Sequence, residues 1–80
     1  MENKIAVLAI IVNDEKAVET VNALLHEFRE HIVGRMGIPY RLKNVSIISV
    51  VLDAPAEKIN SLSGKLGMIK GVSSKVLTAK

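Results

Sequence analysis

Eighty residues hold one domain, and a chain this short removes only about 60% of its unfolded surface from water. No cysteine is present, which excludes disulfides, thiolate metal sites and thiol nucleophiles, while 49% hydrophobic residues and a mean hydropathy of +0.31 are high for so small a body. Eleven Lys and Arg against eight Asp and Glu give a formal charge of +3, but the basic residues are scattered and Phe28 and Tyr40 are the only aromatics, so the clustered cations and stacking rings of a nucleic-acid surface are missing.

Residues 5–12 form a continuous apolar run, partly β-branched, that predicts a strand covered on both faces. The run is too short to cross a bilayer and no small-residue cleavage site follows it, so a cytoplasmic protein without membrane association is expected. Asn13 and Asp14 are candidate caps, and Glu15 adds negative charge to a helix first turn. Ala17, Val18, Val21, Leu24, Leu25 and Phe28 then recur at helical spacing, with Glu19, Thr20, Asn22 and Glu27 on the opposite side.

A second strand is predicted over 31–37, weakened or bulged by Gly34 and Gly37, and an extended connection containing Pro39 over 38–44. Residues 45–52 are again almost wholly apolar and predict a third strand. Asp53-Ala54-Pro55 reads as a helix start, Asp53 capping free amides and Pro55 sitting in the first turn. Ile59, Leu62 and Leu66 give the second helix its apolar stripe, Gly64 or Gly67 can end it, Gly71 marks a turn, and 72–78 alternates as the last strand.

The order strand, helix, strand, strand, helix, strand predicts a single ferredoxin-like α+β domain over 1–80, a four-stranded antiparallel sheet with two helices on one face. The first and third strands lie centrally, and both are apolar at both parities: Ile5, Val7 and Ile11 against Leu8, Ile10 and Val12, then Val45, Ile47 and Val51 against Ile48, Val50 and Leu52. One parity meets the helices and the other meets nothing within the subunit. Leaving roughly six such side chains wet forgoes on the order of 10 kcal/mol, comparable to the whole stability of the domain, so a homo-oligomer, dimer or tetramer, is expected.

Among possible sites, 34–41 (Gly-Arg-Met-Gly-Ile-Pro-Tyr-Arg) is the most distinctive: two glycines permit close backbone approach, Arg35 and Arg41 can clamp an anion, and Tyr40 offers a hydroxyl and a flat face. A bulged edge strand with solvated arginines has the same composition. The acylphosphatase loop, Gly-x-Val-Gln-Gly-Val-x-Phe-Arg, differs from it: the Gln is missing, the spacing is one residue short, and the segment follows the first helix where the acylphosphatase loop precedes it. His26 and His31 straddle a helix end and make too small a metal set alone, and the serines lack a nucleophile-elbow context. No convergent acid, base or anion hole stands out, so an enzyme is not expected.

Ile32-Val33-Gly34-Arg35-Met36-Gly37-Ile38-Pro39-Tyr40-Arg41, Ile47-Ile48-Ser49-Val50-Val51-Leu52-Asp53-Ala54-Pro55 and Leu62-Ser63-Gly64-Lys65-Leu66-Gly67-Met68 together resemble a family of short bacterial proteins described as regulators of the iron-only hydrogenase system. The resemblance extends over nearly the entire chain. It implies an ACT-like fold, related also to the C-terminal domain of the nickel-responsive repressor, and a regulatory role. ACT domains usually place Gly after the first strand to admit an amino acid, where this chain has Asn13-Asp14. Ile38, Tyr40 and Ser46 stand where the repressor's two His and one Cys nickel ligands fall, so the nickel site does not carry over. No helix-turn-helix or ribbon-helix-helix segment fits beside the six elements, so no direct DNA binding is expected and any transcriptional role runs through another chain.

The sequence therefore reads as an oligomeric regulatory or ligand-sensing module acting through self-assembly and a partner protein, with a ligand site between subunits made by Asn13, Asp14, Arg35, Tyr40 and Arg41. An intersubunit metal or small-anion binder built from His26, His31, Arg35 and Arg41 is the alternative, and a small phosphoryl-transfer enzyme a further one. No cofactor is named by any motif.

Overall fold

The computed structural model describes residues 2–79. Its elements run β1 (Asn3–Val12), α1 (Ala17–Glu27), β2 (Ile32–Tyr40), β3 (Val45–Pro55), α2 (Ala56–Gly67) and β4 (Val72–Thr78), with single 3-10 turns at Arg29–His31 and Arg41–Lys43. The strands form one antiparallel sheet in the order β2-β3-β1-β4, so the two most apolar strands are central, as their composition demands. This is the ferredoxin-like α+β arrangement.

Strand alternation decides which parity goes inside. Ala6, Leu8, Ile10 and Val12 of β1 and Ile48, Val50, Leu52 and Ala54 of β3 are buried, and they form one core with Ala17, Val21, Leu24 and Leu25 of α1, Phe28, and Ile59, Leu62 and Leu66 of α2. Both helices thus cover the same face. The stripes of α1 and α2 carry the three- and four-residue spacing that brings one side of a helix to the sheet. No polar or charged side chain is buried among the described residues.

Several boundaries differ from the sequence expectation. β2 continues through Ile38, Pro39 and Tyr40, because an edge strand tolerates a proline whose missing N–H need not interrupt a central ladder. β3 runs on through Asp53, Ala54 and Pro55, paired with Ile5, Lys4 and Asn3. Asp53 consequently does not cap α2: Pro55 occupies the N-cap position with no side-chain cap bond, and Asp53 shares the uncovered face with Ile5. At α1 the N-cap position is Lys16, while Asp14 Oδ1 accepts from the Lys16 backbone N–H at 3.0 Å, shaping the turn ahead of the helix. α2 passes through Gly64 and ends at Gly67.

A bulge at Val33 shifts the β2 register: Ile32 pairs with Leu52 but Gly34 with Val51. It sends Arg35 to the helix side and Met36, Ile38 and Tyr40 to the uncovered side.

Candidate functional site

The sheet face opposite the helices exposes a row-by-row set of apolar side chains. Reading across the pairing register, its rows are Ile5 and Asp53; Leu77, Val7, Val51 and Gly34; Lys75, Ala9, Ser49 and Met36; Ser73, Ile11, Ile47 and Ile38; then Val45 and Tyr40. Ile5, Val7, Ile11, Met36, Ile38 and Ile47 are each 39% to 63% exposed, whereas Ala6, Leu8, Ile10, Val12 and Ile48, of opposite parity on β1 and β3, are buried. A contiguous patch of this kind is uncommon on a soluble monomer.

At one end of the sheet lies a cleft of about 430 Å³, between the turn after β1 and the connection from β2 to β3. Asn13, Asp14, Tyr40 and Arg41 all line it, so four of the five residues singled out from sequence stand together. Two backbone features shape the walls. The Asn13 N–H donates to the Gly71 carbonyl at 2.7 Å, tying the turn to the start of β4, and Asn44 adopts the left-handed conformation (φ 54°) that closes the β2–β3 connection. Val12, Glu15, Pro39, Asn44, Val45 and Ser46 complete the lining, none of them in the sequence-derived set. Asn44 carried a signal, since an Asn directly before a strand is a frequent left-handed turn residue; Ser46 carried none, because its place depends on pairing with both Val12 and Pro39.

Arg35 stands apart from this cleft. From the helix side of β2 its Nη2 donates to Asn22 Oδ1 of α1 at 2.7 Å, joining the edge strand to the helix. The cleft lining therefore includes one guanidinium, Arg41, and the carboxylates of Asp14 and Glu15, together with neutral donors and acceptors from Asn13, Tyr40, Asn44 and Ser46. The lining thus sets one cation among two carboxylates and several neutral polar groups. Tyr40 belongs to both features, since it pairs with Val45 at the parity of the uncovered face.

A smaller depression of about 260 Å³ lies at the far end of α1, among Glu27, Phe28, Glu30, His31, Lys58 and Lys65, with the Lys65 ammonium 5.5 Å from the centre of the Phe28 ring. Its charges are mixed and solvated. Among the described residues no group of three or more His, Asp or Glu is placed to hold a metal ion, so His26 and His31 have no third ligand within one subunit. Nor is any helix of the described residues long and apolar enough to cross a membrane.

Residues 4–76 match the model of a family described as "TM1266-like: Iron-only hydrogenase system regulator, putative". The chain belongs to the TM1266-like family. A solved structure within reach of it is that of the uncharacterized protein TM1266 from Thermotoga maritima, 45% identical, covering 99% of this chain and 100% of that one, with a TM-score of 0.94. No curated protein matches. Membership in the TM1266-like family fits the elements already described, since the matched span runs from the first strand into the last.

Proposed function

We propose that the chain is a regulatory module of an iron-only hydrogenase system that works by self-assembly, a second copy covering the uncovered sheet face and a small ligand in the cleft at its edge biasing that contact. The observation that carries the reading is the parity of β1 and β3: Ile5, Val7, Ile11, Ile47 and Val51 have the composition of a core and no partner within the subunit. Stacking one such face on another converts both into an interior, with sheets about 10 Å apart. Tyr40, at once cleft wall and face residue, gives the ligand a route to the assembly.

The family description supports a regulatory role. Regulation then runs through a partner protein that recognises the assembled form. Light scattering and sedimentation at micromolar concentration test this. A mass at a multiple of 8.7 kDa is expected, falling to that of one subunit in Ile47→Lys with the far-ultraviolet circular dichroism unchanged. A wild-type monomer of 8.7 kDa at that concentration overturns the proposal.

A further inference from the structure

The outer strand β4 leaves one edge of the sheet open, and its ladder with β1 shows which groups lie there. The Asn13 N–H donates to the Gly71 carbonyl at 2.7 Å and the Ala79 N–H to the Ile5 carbonyl at 2.9 Å. Those bonds fix the phase of the ladder: odd residues of β4 bond to β1, while Ser74, Val76 and Thr78 turn their N–H and C=O groups away from the sheet. The outward N–H of Val72, at the start of the strand, is already taken by the Ile69 carbonyl at 3.2 Å. At the other edge of the sheet, β2 is blunted by Pro39 and by the bulge at Val33, and β4 has neither.

Beside this edge, α2 presents a flank without bulk. Its buried stripe is Ile59, Leu62 and Leu66, and Lys58 and Lys65 lie on the side toward α1, where Lys65 stands over the Phe28 ring. Because α1 is tied to β2 through Arg35 and Asn22, the other side of α2 overlooks β4. At about 3.6 residues per turn that side carries Ala56, Asn60, Ser63 and Gly67, with Gly64 next to them. A glycine within a helix lowers stability relative to alanine. Neither Gly64 nor Gly67 has a positive φ, and a Cβ on either would meet nothing within 4 Å, so nothing inside the subunit calls for them.

We infer that β4 and α2 make a second contact between copies: β4 pairs antiparallel with β4 of another copy about a twofold axis through Val76, perpendicular to the sheet, giving one eight-stranded sheet with the two α2 flanks side by side on it. This deepens the self-assembly reading, since two such sheets stacked by their uncovered faces make an assembly of four copies. The free groups select the register. Ser74, Val76 and Thr78 are centred on Val76, and only an axis there pairs them all, Val76 with its counterpart and Ser74 with Thr78. That register sets Lys75 opposite the exposed Leu77, which the lysine stem covers, whereas an axis at Lys75 would oppose like charges. Two helices spread over four strands, so continuing the sheet across the axis sets α2 about 10 Å from its counterpart, the spacing of packed helices, and the small flank residues admit it. The edge contact, about 18 Å along α2 by 20 Å through both layers, covers about 350 Å² per copy, and the uncovered face about 400 Å². Neither alone reaches the roughly 800 Å² per partner of a standard interface, and together they approach it. The two contacts therefore support each other, and loss of the face contact in Ile47→Lys releases single subunits.

Amide hydrogen exchange of the full chain reads the pairing directly. The Ser74, Val76 and Thr78 amides are expected to exchange on the order of a hundredfold more slowly in the wild-type assembly than in the dissociated subunit. Two variants test the same contact by mass at micromolar concentration, with folding checked by circular dichroism. Val76→Pro removes an outward N–H and leaves the ladder with β1 intact. Gly64→Leu fills the α2 flank, and because the space around it is open within the subunit, it should raise the urea midpoint of the dilute protein. Wild type is expected at four times 8.7 kDa and both variants at no more than twice that mass. Free exchange of the three amides in the wild-type assembly, or an unchanged mass in both variants, overturns the edge contact while leaving face-mediated assembly standing. An assembly with protected amides that survives Ile47→Lys and is lost in Val76→Pro supports the edge contact and overturns the face reading. A wild-type monomer overturns both.

Discussion

Gly71 and Asp14 touch across the turn that ends the cleft: a Cβ built on Gly71 would lie 2.6 Å from the Cβ of Asp14, and Gly71 has φ +83°. The same glycine carbonyl accepts from the Asn13 N–H. One residue thus satisfies two demands, a left-handed backbone and close approach of the β1–α1 turn, that a residue with a side chain meets only under strain.

Gly71→Ala should therefore destabilise the protein by about 2 to 3 kcal/mol, combining the left-handed penalty with a local overpacking cost. For a domain of this size that lowers Tm by roughly 10 °C or more, read by thermal unfolding at fixed protein concentration, since assembly makes Tm concentration-dependent. Adding Asp14→Gly should recover the steric part alone. An unchanged Tm in Gly71→Ala would contradict the packing of this turn.

Core and face should separate cleanly. Leu62 is fully buried between α2 and the sheet, so Leu62→Ala is expected to cost about 2 to 5 kcal/mol of stability, seen as a lower urea midpoint. Ile47→Ser removes a comparable apolar side chain from the uncovered face. It should leave the subunit folded and weaken assembly, so that at high dilution, where wild type is also dissociated, the two have nearly the same urea midpoint. Equal destabilisation of the dilute subunit by both changes would show that the two sides of the sheet are not distinct environments.

The fold was legible because its information is periodic. Alternate residues of β1 and β3 and the stripes of α1 and α2 each state a local geometry, and those geometries close into one core. Boundaries governed by tertiary pairing were not legible. Pro39 and Pro55 are ordinary stop signals, yet both lie in strands because one is on an edge strand and the other ends a ladder with Asn3. Arg35 illustrates the same limit for sites: its proximity to Arg41 in sequence suggested a clamp, but the bulge at Val33 fixes the parity of Arg35 and directs it to Asn22.

That pairing has a measurable consequence. The Arg35–Asn22 bond is exposed, so Arg35→Ala and Asn22→Ala should each cost no more than about 1 kcal/mol. In a double-mutant cycle the second change should cost less than it does alone, giving a coupling of a few tenths of a kcal/mol or more. Strictly additive losses would show that the bond contributes nothing in solution.

The ligand proposal leads to a prediction on Arg41. This guanidinium is the cation of the 430 Å³ cleft, and Asp14 and Glu15 offset its charge, so a bound anion gains from Arg41 directly while a cation gains from the carboxylates. A thermal-shift screen of small carboxylates, phosphates and amino acids supplies the probe, and calorimetry then compares variants with that compound. If it binds through an anionic group, Arg41→Ala should weaken it by about 1 to 3 kcal/mol, the range for a charge-assisted hydrogen bond, while Arg35→Ala leaves the affinity unchanged because its guanidinium is engaged with Asn22. Tyr40→Phe separates binding from coupling: loss of the hydroxyl should lower affinity modestly, whereas Tyr40→Ala, which also removes a ring from the uncovered face, should abolish any effect of the compound on assembly mass. Binding that survives Arg41→Ala intact, or falls with Arg35→Ala instead, would place the ligand outside this cleft.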